Sequence, residues 1–81
     1  MIVLETSIPD LLIIQPKIQN DKRGYFLESF KNSEFKLNHL PTNFVQQNQA
    51  KSSKGVLRGL HYQLTFPQGK LVWVSSGSVL D

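Results

Sequence analysis

Apolar positions along this chain fall into short runs separated by turn residues, and no stretch sustains a long helical period. Ile2-Val3-Leu4-Glu5 opens as a short β-prone segment, and Pro9 interrupts the chain after it. Leu11-Leu12-Ile13-Ile14 is a continuous apolar run closed by Pro16, the pattern of a strand buried on both faces. Asn20-Asp21-Lys22-Arg23-Gly24 supplies a turn, since Asn, Asp and Gly tolerate the dihedrals that turns need. Tyr25 to Phe30 reads as the next strand, with Phe26, Glu28 and Phe30 on one face and Tyr25 and Leu27 on the other. Both faces are mostly apolar, so this strand is expected between two sheets or against a partner subunit. Glu28, set between two phenylalanines, then needs a donor: Arg23, or an amide or hydroxyl of a ligand.

Asn32 to Leu37 has the spacing of a short helix, placed near residues 33–39 with Ser33 as its cap and Pro41 beyond its end. Phe44 to Lys51 reads as a polar strand, with Gln46 and Asn48 on one side and Val45, Gln47 and Gln49 on the other. Consecutive amides suit a neutral base or a sugar, and they equally suit an exposed sheet edge. Ser52-Ser53-Lys54-Gly55 turns the chain into Val56-Leu57-Arg58-Gly59-Leu60-His61-Tyr62-Gln63. There an arginine and a histidine interrupt an apolar run, and they face either a ligand or plain water. On a regular strand they point to opposite faces, so a shared site requires a bend at Gly59. Pro67-Gln68-Gly69 turns again into Lys70 to Val74, and Ser76-Gly77-Ser78 precedes Val79-Leu80-Asp81.

About six strands with hardly any helix predict an antiparallel sandwich or barrel. The last strand breaks off at Asp81, which predicts that residues 1–81 are the N-terminal part of a single larger domain. A chain this short buries only about 60–65% of its unfolded surface. With no cysteine, neither disulfides nor thiolate metal sites brace it. No run approaches the roughly 20 apolar residues of a membrane span, and the N-terminus lacks the layout of a signal peptide. A soluble, cytoplasmic protein is expected.

Charge adds one feature. The net charge is +3, and between Glu34 and Asp81 every charged residue is basic: Lys36, Lys51, Lys54, Arg58 and Lys70. Such a field favours an anionic partner, a phosphorylated metabolite or nucleic acid, and it also fits a solvated basic surface. The aromatics that could stack nucleic-acid bases, Tyr25, Phe26 and Trp73, sit in apolar runs that read as core, which counts against nucleic acid. Metal binding is not expected, because His39 and His61 lie in different elements and no carboxylate follows His61 until Asp81. A nucleophilic hydrolase would need a cysteine or a serine elbow, and neither is present.

Several segments resemble one family in order and spacing: Arg23-Gly24-Tyr25-Phe26-x-Glu28, Phe44-Val45-Gln46-Gln47-Asn48, Ser52 through Gln63, and Gln68-Gly69-Lys70-Leu71-Val72. They resemble the dTDP-4-dehydrorhamnose 3,5-epimerases, deoxysugar isomerases of dTDP-rhamnose synthesis, and the 55–63 block is the most specific part. The resemblance implies an all-β, antiparallel jelly-roll fold, a cupin or double-stranded β-helix, of which this chain carries the N-terminal portion. It implies no cofactor and no metal, a dTDP-4-dehydro-6-deoxyhexose substrate, and a homodimer when the barrel is complete. His61 matches the base that removes protons beside the 4-keto group, and Lys70 matches the cation beside the keto oxygen. Arg58 matches a substrate contact at the diphosphate side, and Arg23, Glu28, Gln46, Gln47 and Asn48 match positions that hold nucleotide and sugar. Gln47 stands where an aspartate is common and Trp73 where an arginine is often found.

The chemistry of the residues agrees with those roles. Epimerising a carbon beside a ketone takes a base on one face, a charge stabiliser at the oxygen and an acid on the other face. His61 and Lys70 can serve as the first two. Tyr62 adjoins His61 on the same strand, points away from it and is a poor acid; in the family a tyrosine acid and a histidine-orienting aspartate come from later strands. The 81 residues alone are therefore expected to be inactive. Two other readings stay open: a non-catalytic or single-position relative, and a basic β-domain that binds nucleic acid.

Overall fold

Two antiparallel hairpins and one short helix make up the regular structure. The computed structural model describes all residues, 1–81, which separate into a unit at Met1–Gln49 and a unit at Ala50–Asp81. All regular elements lie in the first: β1 (Ile2–Glu5), β2 (Leu12–Gln15), β3 (Ile18–Asp21), β4 (Gly24–Leu27) and α1 (Asn32–Leu37). The chain is thus β-rich and antiparallel with one short helix, the make-up of an N-terminal piece of a cupin-like barrel.

β1 pairs with β2 in a register that sets Val3 opposite Ile14 and Leu4 opposite Ile13. Val3 and Ile14 are the half-buried pair on one face of this ribbon. The connection is fixed by Thr6, whose hydroxyl accepts from the Ile8 N–H at 3.2 Å and donates to the Leu11 carbonyl at 2.8 Å. The chain reverses through Asp10 at φ +66, a left-handed conformation that aspartate tolerates better than most side chains. The apolar run at 11–14 predicts burial on both faces. Instead Leu12 and Ile13 are exposed, because a two-stranded ribbon offers β2 one ladder and no covering layer.

β3 and β4 form the second hairpin, with Ile18 opposite Leu27 and Asp21 opposite Gly24. Only Lys22 and Arg23 lie between the strands, and the positive φ falls on Gly24 at +133. Glycine is needed there because a side chain disfavours that conformation; space is not the issue, since an added Cβ would meet nothing within 4 Å. β4 ends at Leu27, three residues short of the expected strand end, and Tyr25 and Phe26 on it are exposed.

Helix α1 starts one residue before the expected position. Lys31 is its N-cap and makes no side-chain capping bond. Ser33 falls inside the first turn rather than ahead of it, where a capping hydroxyl must sit. The C-terminal end is more fully organised. The Leu40 N–H donates to the Phe35 carbonyl at 2.8 Å and the His39 N–H to the Lys36 carbonyl at 3.1 Å, while His39 adopts φ +58. This is a Schellman closure with histidine where glycine is usual. Such a closure brings the residue after the left-handed position back over the last turn. Accordingly Phe35 (2% exposed) and Leu40 (8%) are the two buried residues of the chain. Phe30 and Phe44 complete the cluster with edge-on contacts, at centroid distances of 4.6 Å from Phe30 to Phe35 and 5.7 Å from Phe30 to Phe44.

The unit at Ala50–Asp81 contains turns and bends but no β-ladder, so the strands expected at 56–63 and 70–74 are not formed. The polar strand expected from Phe44 to Lys51 also lacks a ladder. A strand is defined by its neighbour, and none of these segments meets a pairing partner within the 81 residues. Their apolar side chains stand in water, Leu57 at 92% exposure and Leu60 fully.

Substitutions test whether the core centres on Phe35. Phe35→Ala removes the one fully buried aromatic and should destabilise the chain by about 3 kcal/mol or more in urea denaturation. Tyr25→Ala, on an exposed strand face, should cost no more than about 0.5 kcal/mol; equal losses would show that the core lies elsewhere. His39→Gly relieves a left-handed side chain at little packing cost and should stabilise by about 0.5–1 kcal/mol.

Candidate functional site

The residues singled out by the sequence fall into both units. Arg23, Glu28, Gln46, Gln47 and Asn48 lie in Met1–Gln49, and Arg58, His61 and Lys70 lie in Ala50–Asp81.

In the first unit, Arg23 is the second residue of the β3–β4 turn, and its partner is Asp21 rather than Glu28. Its backbone N–H donates to Asp21 Oδ1 at 2.8 Å, and its Nε and Nη2 donate to Asp21 Oδ2 at 3.2 and 2.6 Å. The guanidinium lowers the carboxyl pKa of Asp21 from its ordinary value of 3.8, first through the side-chain bonds and then through the backbone N–H. The carboxylate in turn raises the pKa of Arg23. Sequence reading missed Asp21, although an aspartate two residues before a turn arginine is itself a signal, since it bonds its own chain two residues on.

Glu28 lies just past β4 on an open cavity of about 110 Å³, walled by Phe26, Leu27 and Phe35 and edged by Lys17, Lys31 and Glu34. The aromatic cluster joins the segment that follows Glu28 to the segment that precedes Gln46. Phe30 is two residues after Glu28 and Phe44 two before Gln46, and their rings meet at 5.7 Å. Each offset spans at most about 7 Å of extended chain. Gln46 Nε2 donates to Asn48 Oδ1 at 3.2 Å, so these two share a side, as the alternation predicts. Gln47 is exposed.

In the second unit, Arg58 is tied back to the preceding turn. Its Nε donates to Ser52 Oγ at 2.8 Å and its Nη2 to the Lys51 carbonyl at 3.2 Å. Ser53 and Val56 close that turn through a backbone bond of 3.3 Å. Between Arg58 and His61, Gly59 adopts φ +127, in a segment that forms no strand. His61 and Lys70 are both exposed, and neither side chain takes part in a hydrogen bond or ion pair. No three or more histidine, cysteine, aspartate or glutamate side chains gather in a way that could hold a metal ion. No helix is long and apolar enough to cross a membrane.

Known proteins resemble this chain along nearly all of its length. The family model described as dTDP-4-dehydrorhamnose 3,5-epimerase matches residues 5–81. The chain belongs to this family. Among curated members, the epimerase of Shigella flexneri is 52% identical over 83 residues, covering all of this chain and 46% of its own length. That of Neisseria gonorrhoeae is 48% identical over 81 residues, again covering all of this chain but 25% of its own length. The archaeal epimerase of Methanothermobacter thermautotrophicus is 47% identical over 78 residues, covering 96% of this chain and 42% of its own. This chain therefore spans between a quarter and just under half the length of these relatives. No solved structure matches it.

The Asp21–Arg23 pair makes a pH prediction for this family member. The carboxyl of Asp21 is depressed in the folded state, so the stabilisation is fully present above its unfolded value and is lost as pH falls through the lower folded one. The side-chain carboxyl carbon of Asp21, followed by NMR, should titrate below 3.8. Arg23→Ala should return the midpoint to the ordinary range, and a midpoint unmoved by that change would show that the pair does not form in solution.

Proposed function

We propose that this chain carries the base, the oxygen-side cation and the nucleotide contacts of a dTDP-4-dehydrorhamnose 3,5-epimerase. The reaction inverts C3 and C5 of dTDP-4-dehydro-6-deoxy-D-glucose to give dTDP-4-dehydro-L-rhamnose, in dTDP-L-rhamnose biosynthesis. The observation that carries this reading is the family match across residues 5–81, which includes every residue assigned a role.

The 4-keto group acidifies the protons on its neighbouring carbons, because the electrons left behind spread onto the oxygen as an enolate. His61 removes such a proton, and the Lys70 ammonium stabilises the negative oxygen. Reprotonation from the opposite face completes the inversion and requires an acid other than Tyr62. Arg58 binds the diphosphate, with Ser52 and the Lys51 carbonyl supporting its guanidinium from behind. Arg23, Glu28, Gln46, Gln47 and Asn48 hold the nucleotide and sugar. The protein works in the cytoplasm, without cofactor or metal, as a homodimer.

Proton exchange tests the assignment. In heavy water, substrate incubated with the full-length protein should take up deuterium at both C3 and C5, and uptake at one position only would indicate a single-position epimerase. His61→Asn should lower exchange by at least about 100-fold, within the range a positioned base supplies, while dTDP affinity stays within about twofold. Equal loss of both would make His61 a binding or folding residue. The 81 residues by themselves hold His61 and Lys70 in open water and should give no exchange; deuterium in the substrate would contradict the proposed need for further catalytic groups.

A further inference from the structure

Resting on the reading of Arg23 as a nucleotide contact, we infer that Asp21 is a positioning residue that presents the Arg23 guanidinium to a phosphate oxygen. A guanidinium has five N–H donors arranged along distinct edges. Asp21 Oδ2 takes the side edge, receiving Nε–H at 3.2 Å and one Nη2–H at 2.6 Å. The end edge, formed by Nη1 and the second Nη2 hydrogen, is left in solvent, and the Arg23 side chain is 91% exposed. That end edge is a two-pronged donor of the geometry that phosphate oxygens accept.

The carboxylate is itself fixed. Asp21 sits at the last position of β3, opposite Gly24, and its Oδ1 accepts the Arg23 backbone N–H at 2.8 Å. One carboxylate therefore locks both the start and the tip of the arginine side chain to a two-residue hairpin turn. A free arginine would lose several rotatable bonds of freedom on meeting a phosphate; this one has already lost them. As a surface ion pair the contact contributes little to stability, so its consequence is directional. Only cations share this end of the turn with the pair: Lys22 is the neighbouring charged group, and Asp21 is the turn's single acid.

Binding of dTDP to the full-length protein, measured by calorimetry for Arg23→Ala, Asp21→Asn and the double variant, tests the inference. Arg23→Ala should weaken binding about 10- to 100-fold, the usual effect of losing a charge-assisted bond. Asp21→Asn should weaken it about three- to tenfold and should add nothing further in the Arg23→Ala background, because Asp21 acts only through Arg23. The Arg23 Nη signals, distinct in NMR while rotation is hindered, should merge in Asp21→Asn. No dTDP binding by the unaltered protein, or an unchanged affinity in Arg23→Ala, overturns the underlying reading and the inference with it. A loss in Arg23→Ala with no change or tighter binding in Asp21→Asn overturns the inference alone, since the carboxylate would then be idle or competing with the phosphate. An equal effect of Asp21→Asn in both backgrounds would make Asp21 merely structural.

Discussion

Phe35 is the interaction on which the ordered part of this chain depends. Its ring is the one fully buried side chain, and it is held by a closure that is entirely local. The helix is six residues long, far below the length at which helices persist alone, and its side-chain capping is confined to the C-terminal end, where Asn38 Nδ2 donates to the Glu34 carbonyl at 2.8 Å. What sustains it is the reversal at His39, which returns Leu40 to the side of Phe35, and the two flanking rings of Phe30 and Phe44. Those rings belong to segments on either side of the helix in sequence. Closing them on Phe35 therefore ties the segment that follows Glu28 to the segment that precedes Gln46 and Asn48. Packing and candidate binding groups are coupled through the same three aromatics.

Both arginines given a role are held by groups a few residues away. Asp21 holds Arg23 across an interval of two, and Ser52 and Lys51 hold Arg58 across six and seven. In each case the Nε and Nη2 side of the guanidinium is engaged and the rest is left outward. The two devices differ in charge. Asp21 supplies an anion and keeps its arginine's local field near neutral, whereas Ser52 and a carbonyl leave Arg58 with its full positive field.

What was legible in the sequence is what local physics decides. The β3–β4 turn could be read from Asn, Asp and Gly, and the helix from its spacing to within a residue. The Asp21–Arg23 pair is equally local, and its signal, an aspartate two residues before a turn arginine, is outweighed in the sequence by Glu28, which is set between two phenylalanines and has the stronger apparent need for the Arg23 donor. The strands expected at 56–63 and 70–74 rest on apolar alternation, a pattern that states which face a strand would bury without supplying the neighbour that makes it a strand. The family resemblance is strongest in that same stretch. It rests on residue identities, and those persist whether or not the ladder forms.

Enclosure is what separates the residues of this site from a working site. A lysine ammonium about 4 Å from an enolate oxygen is worth about 1 kcal/mol in bulk water and about 4 kcal/mol at the effective dielectric near protein surfaces. The first figure corresponds to roughly a fivefold rate effect and the second to nearly a thousandfold. Lys70 and His61 are both exposed here. For the roles proposed for them, the solvent around them would therefore set the strength of the electrostatic effect. The apolar side chains of the same stretch, Leu57, Leu60, Leu64 and Phe66 among them, stand equally in water. Leu57, Leu60, Leu64 and Phe66 flank His61 in the chain, so a layer that covered them would also take water from around it. The hydrophobic effect that brought such a layer down would then also supply the low dielectric in which a lysine ammonium is worth the larger figure.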